Sequence, residues 1–169
     1  LSPILSNIVL DELDKVLEKR GLCFVRYADD CVIFVRSKRA GDRVMQSVSR
    51  FIEKKLRLQV NRQKSAVGRP WQRKYLGFCL TNSRKNPKIR IHWKTIKRFR
   101  WRVREITARR RGRSLLQVID ELNQFISGWW NYYGKTESFN RLRPLPHWIR
   151  RRLRALVWKQ WKNRKTRVR

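Results

Sequence analysis

The chain has 169 residues, room for one ordinary domain or two small ones, and 41% of them are hydrophobic, enough for a core. It carries 44 Lys and Arg against 12 Asp and Glu, a formal net charge of +32. Such a field repels itself unless a polyanion neutralises it, so nucleic acid is the expected partner and an anionic membrane surface the second. No apolar run reaches the roughly 18–20 residues that span a bilayer, and His92 and His147 stand alone, without a His-based zinc or nuclease pattern.

In chain order, Leu5, Ile8, Val9, Leu13, Val16 and Leu17 recur at helical spacing and predict a helix over about 4–19, ending near Gly21. Two apolar runs follow, Phe24–Tyr27 and Cys31–Val35, separated by Ala28-Asp29-Asp30, the pattern of a hairpin with an acidic tip. Val44, Val48, Phe51, Ile52 and Leu56 mark a second amphipathic helix over about 40–56. Leu58–Val60 is a short strand candidate, 61–73 a basic loop, Lys74–Leu80 a strand, and Ile89–Trp93 another after the turn at Asn86-Pro87. Helix, hairpin, helix and strands imply an α+β arrangement, with helices on one face of an antiparallel sheet.

From Lys94 the pattern turns all-helical. Apolar stripes run through Ile96–Ile106, through Leu115–Tyr133 and through Leu145–Val157, which suggests a three-helix bundle. The domain boundary is placed near residue 93: 1–93 and 94–169. Charge divides unevenly, with a net of +4 over residues 1–60 and +28 over 61–169, and no acid after Glu137. Cys23, Cys31 and Cys79 are odd in number and lack metal-ligand spacing, so they read as buried free thiols of a reducing compartment. No signal peptide is visible, since the apolar opening runs into Asp11, Glu12 and Asp14; a bacterial cytoplasm fits, or an organelle. The pattern specifies no oligomeric state. The chain opens on Leu1 and its one methionine is Met45, which points to an internal or C-terminal piece of a longer protein.

The acidic tip carries the chemistry. Asp29 and Asp30 repel one another, and a divalent metal explains their pairing: Mg²⁺ takes one or two carboxylates plus substrate phosphates, and polymerases pair two ions about 3.5–4 Å apart. The plainer alternative is turn chemistry alone. Seven of the eight tryptophans lie from Trp93 onward among Lys and Arg. Arg98, Arg100, Arg102, Arg104, Arg109, Arg110 and Arg111, then Arg150, Arg151, Arg152 and Arg154, are candidate phosphate contacts. Trp101 and Trp161, set among charges, are candidate stacking residues, whereas Trp129 and Trp148 read as core. Six to ten phosphate contacts would weaken binding roughly 10³–10⁵-fold between 50 and 200 mM salt.

Tyr27-Ala28-Asp29-Asp30 between apolar strands resembles the YADD motif of reverse transcriptases, in the form typical of group II intron-encoded proteins. Leu1–Ile8 resembles the stretch after that family's PQG signature. Asn61–Ser65 resembles the next block, and Leu76-Gly77-Phe78 the block that supports the primer terminus. Phe125–Tyr133 is similar to the signature of the group II intron maturase domain. The resemblance implies a partial polymerase palm over 1–93 and a thumb and maturase region over 94–169. It implies an RNA-directed DNA polymerase and splicing maturase, with Mg²⁺ at Asp29 and Asp30, and Asp29 foremost as a direct ligand. Its partners would be structured intron RNA, an RNA template with a DNA primer, and dNTPs. Tyr27 and Ala28 would border the nascent base pair, Lys64 would stabilise departing phosphates, and Gly77 would let a nucleic-acid backbone come close. The family's third metal-binding Asp, its fingers and its PQG segment are not in this sequence, so the piece alone is expected to lack polymerase activity. Two other readings stand beside this one: a non-catalytic RNA-binding maturase remnant, and a CRISPR-associated reverse transcriptase. No C-terminal Cys/His cluster suggests an endonuclease domain.

Overall fold

The computed structural model describes residues 2–83, 85–108 and 112–160. The chain packs as two units, one up to Arg69 and one from Pro70. In the first, α1 (Ser2–Lys19) is followed by β1 (Cys23–Tyr27), β2 (Asp30–Phe34) and α2 (Lys38–Lys54). Leu10, Leu13 and Leu17 sit at i, i+3 and i+7 on α1 and are buried with Val48 of α2. Phe24, Cys31 and Ile33 close this core from the hairpin, and Val44, Phe51, Ile52 and Leu56 from the second helix. Leu5, Ile8 and Val9, grouped with that stripe by spacing, are instead exposed, because the core covers only the second half of α1.

The ends of the helices follow local chemistry. Gly21 takes φ 62 after α1, its N–H donating to the Glu18 carbonyl while that of Leu22 donates to Leu17, so the last carbonyls are satisfied. Ser37 caps α2 by accepting from the Ala40 N–H. The strand expected at Leu58–Val60 does not form. Arg57 turns the chain into the left-handed region at φ 55, and the Leu58 N–H returns to the Ile52 carbonyl instead of a partner strand.

The second unit holds β3 (Phe78–Leu80), β4 (Ile89–Ile91), α3 (Trp93–Ile106), α4 (Leu115–Tyr133) and α5 (Leu145–Gln160). Ile96, Phe99, Val103 and Ile106 face Val118 and Leu122 of α4 and Leu145 and Leu156 of α5, the helical core expected from the three stripes. Ser114 and Gln117 form a reciprocal capping box at the start of α4. Arg113 ties the α3–α4 connection by pairing with Glu121 and donating to the Ile106 carbonyl.

Two differences from the sequence reading stand out. The single antiparallel sheet is in fact two separate two-stranded hairpins, β1–β2 and β3–β4. The strand expected over 74–80 shortens to its last three residues, because Leu76 and Gly77 at φ 48 and 89 break the extended run. By packing, the β3–β4 hairpin belongs with the unit that starts at Pro70, since Phe78 and Ile91 are part of the helical core. Of the three thiols, Cys79 alone is buried; Cys23 is exposed and Cys31 half-buried, all without disulfides. Among the described residues no helix is long and apolar enough to cross a membrane.

Candidate functional site

The hairpin β1–β2 pairs Tyr27 with Asp30, which leaves Ala28-Asp29 as a two-residue turn. Strand alternation sends Phe24 and Arg26 inward and Cys23, Val25 and Tyr27 outward, with Tyr27 67% exposed. Asp29 and Asp30 are both exposed at the tip. Ala28 has φ 52, a conformation that non-glycine residues enter at some energetic cost and that clusters at functional sites.

An inward arginine needs a partner, and Arg26 has three. Its Nε donates to the two Asp14 carboxylate oxygens at 2.9 and 3.0 Å, and a terminal nitrogen reaches the same carboxylate at 2.5 Å. The other terminal nitrogen donates to Asn7 Oδ1 and to the Ala28 carbonyl, each at 2.9 Å. One guanidinium thus fastens the turn peptide to two positions on one face of α1, Asn7 and Asp14, two helical turns apart. The carboxylate of Asp14, first through its hydrogen bonds, raises the Arg26 pKa further above its ordinary value. Burial, with the Asp14 charge second, raises that of Cys31 and keeps it a neutral thiol. Arg26, Asp14 and Asn7 were not among the sequence candidates. The signal for them was Arg26 itself, a charge on the core-facing parity of a strand.

The tip offers two oxygen-ligand side chains of the type hard divalent cations prefer. Among the described residues no group of three or more His, Cys, Asp or Glu comes together. Asp11 pairs with Lys15 and Asp14 with Arg26, so neither joins the tip. The arrangement therefore fits part of a metal's ligand set. Lys64 is exposed in a turn built on Asn61, which accepts from the Lys64 and Ser65 N–H groups.

In the second unit, Leu76-Gly77-Phe78 forms a tight turn closed by mutual hydrogen bonds between Tyr75 and Phe78. The Gly77 carbonyl accepts from the Thr95 hydroxyl at 2.9 Å and from the His92 N–H at 3.0 Å. The space that a side chain at Gly77 would take is already filled within the protein. It holds the Tyr133 ring: a Cβ at Gly77 would lie 2.7 Å from Tyr133 Cε1 and from its hydroxyl.

The cationic residues separate into two kinds. Arg98, Arg150, Arg151 and Arg154 are exposed. Arg102 pairs with Glu105 and Glu121, and Arg152 donates to the Thr107 hydroxyl at 2.6 Å. Arg100, Arg104 and Arg152 all sit 5.8 Å from the Trp148 ring centre, within cation–π range. Trp148, read as core, is thus half-buried beneath three guanidiniums. Trp129 is likewise half-buried, packed against the helical core 4.6 Å from Phe99. Trp101 is 60% exposed, as its charged setting implied, and Trp93, Trp130 and Trp158 are exposed aromatic surfaces that the sequence reading did not single out. Arg109, Arg110, Arg111 and Trp161 lie outside the described residues.

A carboxylate-tipped hairpin packed on two helices is followed in sequence by a strongly basic helical unit rich in exposed tryptophan. Comparison with known families agrees at both ends of the chain. Residues 1–80 match the family described as reverse transcriptase (RNA-dependent DNA polymerase), and residues 96–169 match the group II intron maturase-specific domain. The chain belongs to the group II intron reverse transcriptase/maturase family. The two matched domains are those of an RNA-directed DNA polymerase with maturase function. Such polymerases use divalent metal ions, and the two domains imply binding of intron RNA and of an RNA template. No curated protein matches the chain.

Proposed function

We propose that Asp29 and Asp30 are metal-binding carboxylates of the polymerase centre, that the ion is Mg²⁺, and that the substrates are dNTPs added to a DNA primer. The exposure of both carboxylates on a turn held by Arg26 carries this reading. When bound, the cations would activate the primer 3′-hydroxyl and neutralise charge on the leaving pyrophosphate. The chain's own part is positional. The Arg26 fork holds the Ala28 carbonyl, so the two acids meet substrate without first ordering the turn. Tyr27, outward beside them, supplies a flat surface for the nascent base pair. Lys64 is assigned to the departing phosphates, and Leu76-Gly77-Phe78 to support of the primer terminus. The exposed Arg98, Arg150, Arg151 and Arg154 with Trp101 supply phosphate contacts and a stacking surface for structured intron RNA.

Primer extension on an RNA template tests this. In the full-length protein, Asp29→Asn and Asp30→Asn should each lower the rate by at least about 10²-fold while intron RNA binding persists. The 169-residue chain alone should extend nothing. Retained extension by both variants would remove the tip from the catalytic centre. The maturase-domain match over 96–169 favours an intron origin over a CRISPR-associated one.

A further inference from the structure

The tyrosines at the end of the maturase-signature segment are turned toward the polymerase block Leu76–Phe78. Tyr132, 49% exposed, donates its hydroxyl to the Leu76 carbonyl at 3.1 Å. The Tyr133 ring fills the space a side chain at Gly77 would occupy. Phe78 lies 5.9 Å from Tyr132 and 5.3 Å from Tyr133, ring centre to ring centre. Behind them Tyr133 packs on Trp129 at 4.7 Å, and Trp129 on Phe99 at 4.6 Å, so the aromatic row is continuous with the helical core. The Gly77 carbonyl is itself held by the Thr95 hydroxyl at 2.9 Å.

Leu76 and Gly77 adopt consecutive left-handed conformations, at φ 48 and 89. A leucine does not hold φ 48 unaided, since its Cβ crowds the following carbonyl. Something must fix the turn, and the tyrosine pair does so at both residues: one by a hydrogen bond to the Leu76 peptide, the other by filling the space at Gly77.

We propose that Tyr132 and Tyr133 are positioning residues for primer use, holding the Leu76–Phe78 turn in the shape that supports the primer terminus. The maturase helix α4 then serves DNA synthesis as well as RNA binding. This rests on the assignment of Leu76–Phe78 to primer support, made above.

The test uses the full-length protein, with KM for an RNA-template/DNA-primer duplex and kcat measured separately, beside intron RNA affinity and the unfolding temperature. Tyr132→Phe removes one hydrogen bond from an exposed side chain. It should raise the primer–template KM by roughly three- to tenfold, with kcat, RNA affinity and unfolding temperature little changed. Tyr133→Leu should raise KM further, and Tyr133→Phe, which keeps the ring, should restore most of it. Gly77→Ala perturbs the turn directly. If Gly77→Ala raises KM while both tyrosine variants leave it unchanged, primer support stands and the tyrosine role is overturned. If none of the variants alters KM, the primer-support assignment falls and the tyrosine role with it. A KM rise that only tracks lost RNA affinity and lowered unfolding temperature overturns the positioning role as well.

Discussion

Asp14 on α1 receives the Arg26 guanidinium through two of its nitrogens, and the third nitrogen of that group holds the Ala28 carbonyl at the hairpin tip. The pair is mostly sheltered, with side chains 13% and 21% exposed. Its consequence is local rigidity where the acids sit. Arg26→Lys keeps the charge but not the fork, and cannot reach Asp14, Asn7 and Ala28 together. It should destabilise the protein by about 1–3 kcal/mol in urea unfolding. In the full-length polymerase it should lower kcat more than that loss accounts for under conditions where the protein stays folded. Asp14→Asn should act in the same direction. A full-rate Arg26→Lys enzyme would show that the fork is ordinary surface pairing.

Ala28 poses the complementary question of strain. Its φ of 52 costs an L-residue about 1–2 kcal/mol, against roughly 0.5–1 kcal/mol of chain entropy that glycine brings. Ala28→Gly should therefore be neutral to slightly stabilising, by up to about 1 kcal/mol. Ala28→Val, β-branched in the same conformation, should be clearly destabilising. Thermal unfolding of the two variants side by side reads the difference. Equal unfolding temperatures would mean the turn relaxes out of the left-handed region.

The residues legible in the sequence were those whose local pattern matches their use. The helical stripe Ile96–Phe99–Val103–Ile106 is buried as its spacing demands, and the acid pair stands at a two-residue turn because the flanking runs alternate. What stayed hidden depends on long-range pairing. Arg26 finds Asp14 across the α1–β1 turn, and Gly77 finds Tyr133 far along the chain; neither partner leaves a periodic mark. The missing Leu58–Val60 strand is the same lesson reversed. Its residues have strand propensity, but a strand needs an edge to pair with, and Arg57 turns the chain back toward α2. The two hairpins could not be told from one sheet by pattern alone, since alternation sets the face of a strand and not its neighbour.

His92 links stability to pH. It is 2% exposed and caps α3, its Nδ1 accepting from the Lys94 N–H at 3.2 Å. Burial first lowers its pKa below the ordinary 6.5, and the charges of Arg141, Lys74 and Lys94 add to that, opposed by a hydrogen bond to the Gln72 backbone. The folded protein therefore binds this proton less readily than the unfolded chain. The stability it contributes is full above pH 6.5 and is lost as pH falls through the lower folded-state value. Protonation also converts the cap from acceptor to donor and puts a positive charge at a helix N-terminus. Unfolding free energy should decline in mild acid, and His92→Asn, an acceptor that does not titrate, should flatten that decline. His92→Ala should lose about 1 kcal/mol at neutral pH.

Two tryptophans of the helical unit, Trp129 on α4 and Trp101 on α3, should behave oppositely. Trp129→Ala removes a ring packed on Phe99 and Tyr133 and should cost about 3–5 kcal/mol of stability. Trp101→Ala, from a ring 60% exposed, should leave unfolding unchanged within about 0.5 kcal/mol. If Trp101 stacks on an unpaired base, the same change should weaken RNA binding by about 1–3 kcal/mol. Fluorescence anisotropy with a structured intron RNA, alongside urea titration, measures both.

The last prediction separates arginines that the sequence could not distinguish. Arg150, Arg151 and Arg152 are consecutive on α5, but the helix sends them different ways. Arg150 and Arg151 are exposed, whereas Arg152 is half-buried, donates to Thr107 and lies over Trp148. Neutralising an exposed phosphate contact should weaken RNA binding without touching the fold, and should reduce the slope of log affinity against log salt by about 0.7–0.9 per residue. Arg150→Gln and Arg151→Gln should each show that signature. Arg152→Gln should instead lower the unfolding temperature, because it removes the bond to Thr107 and uncovers one side of Trp148. Its salt slope should stay close to that of the unaltered protein. The outcome that defeats this division is a full slope change for Arg152→Gln with unaltered unfolding, since the guanidinium would then be reaching phosphate and not Thr107.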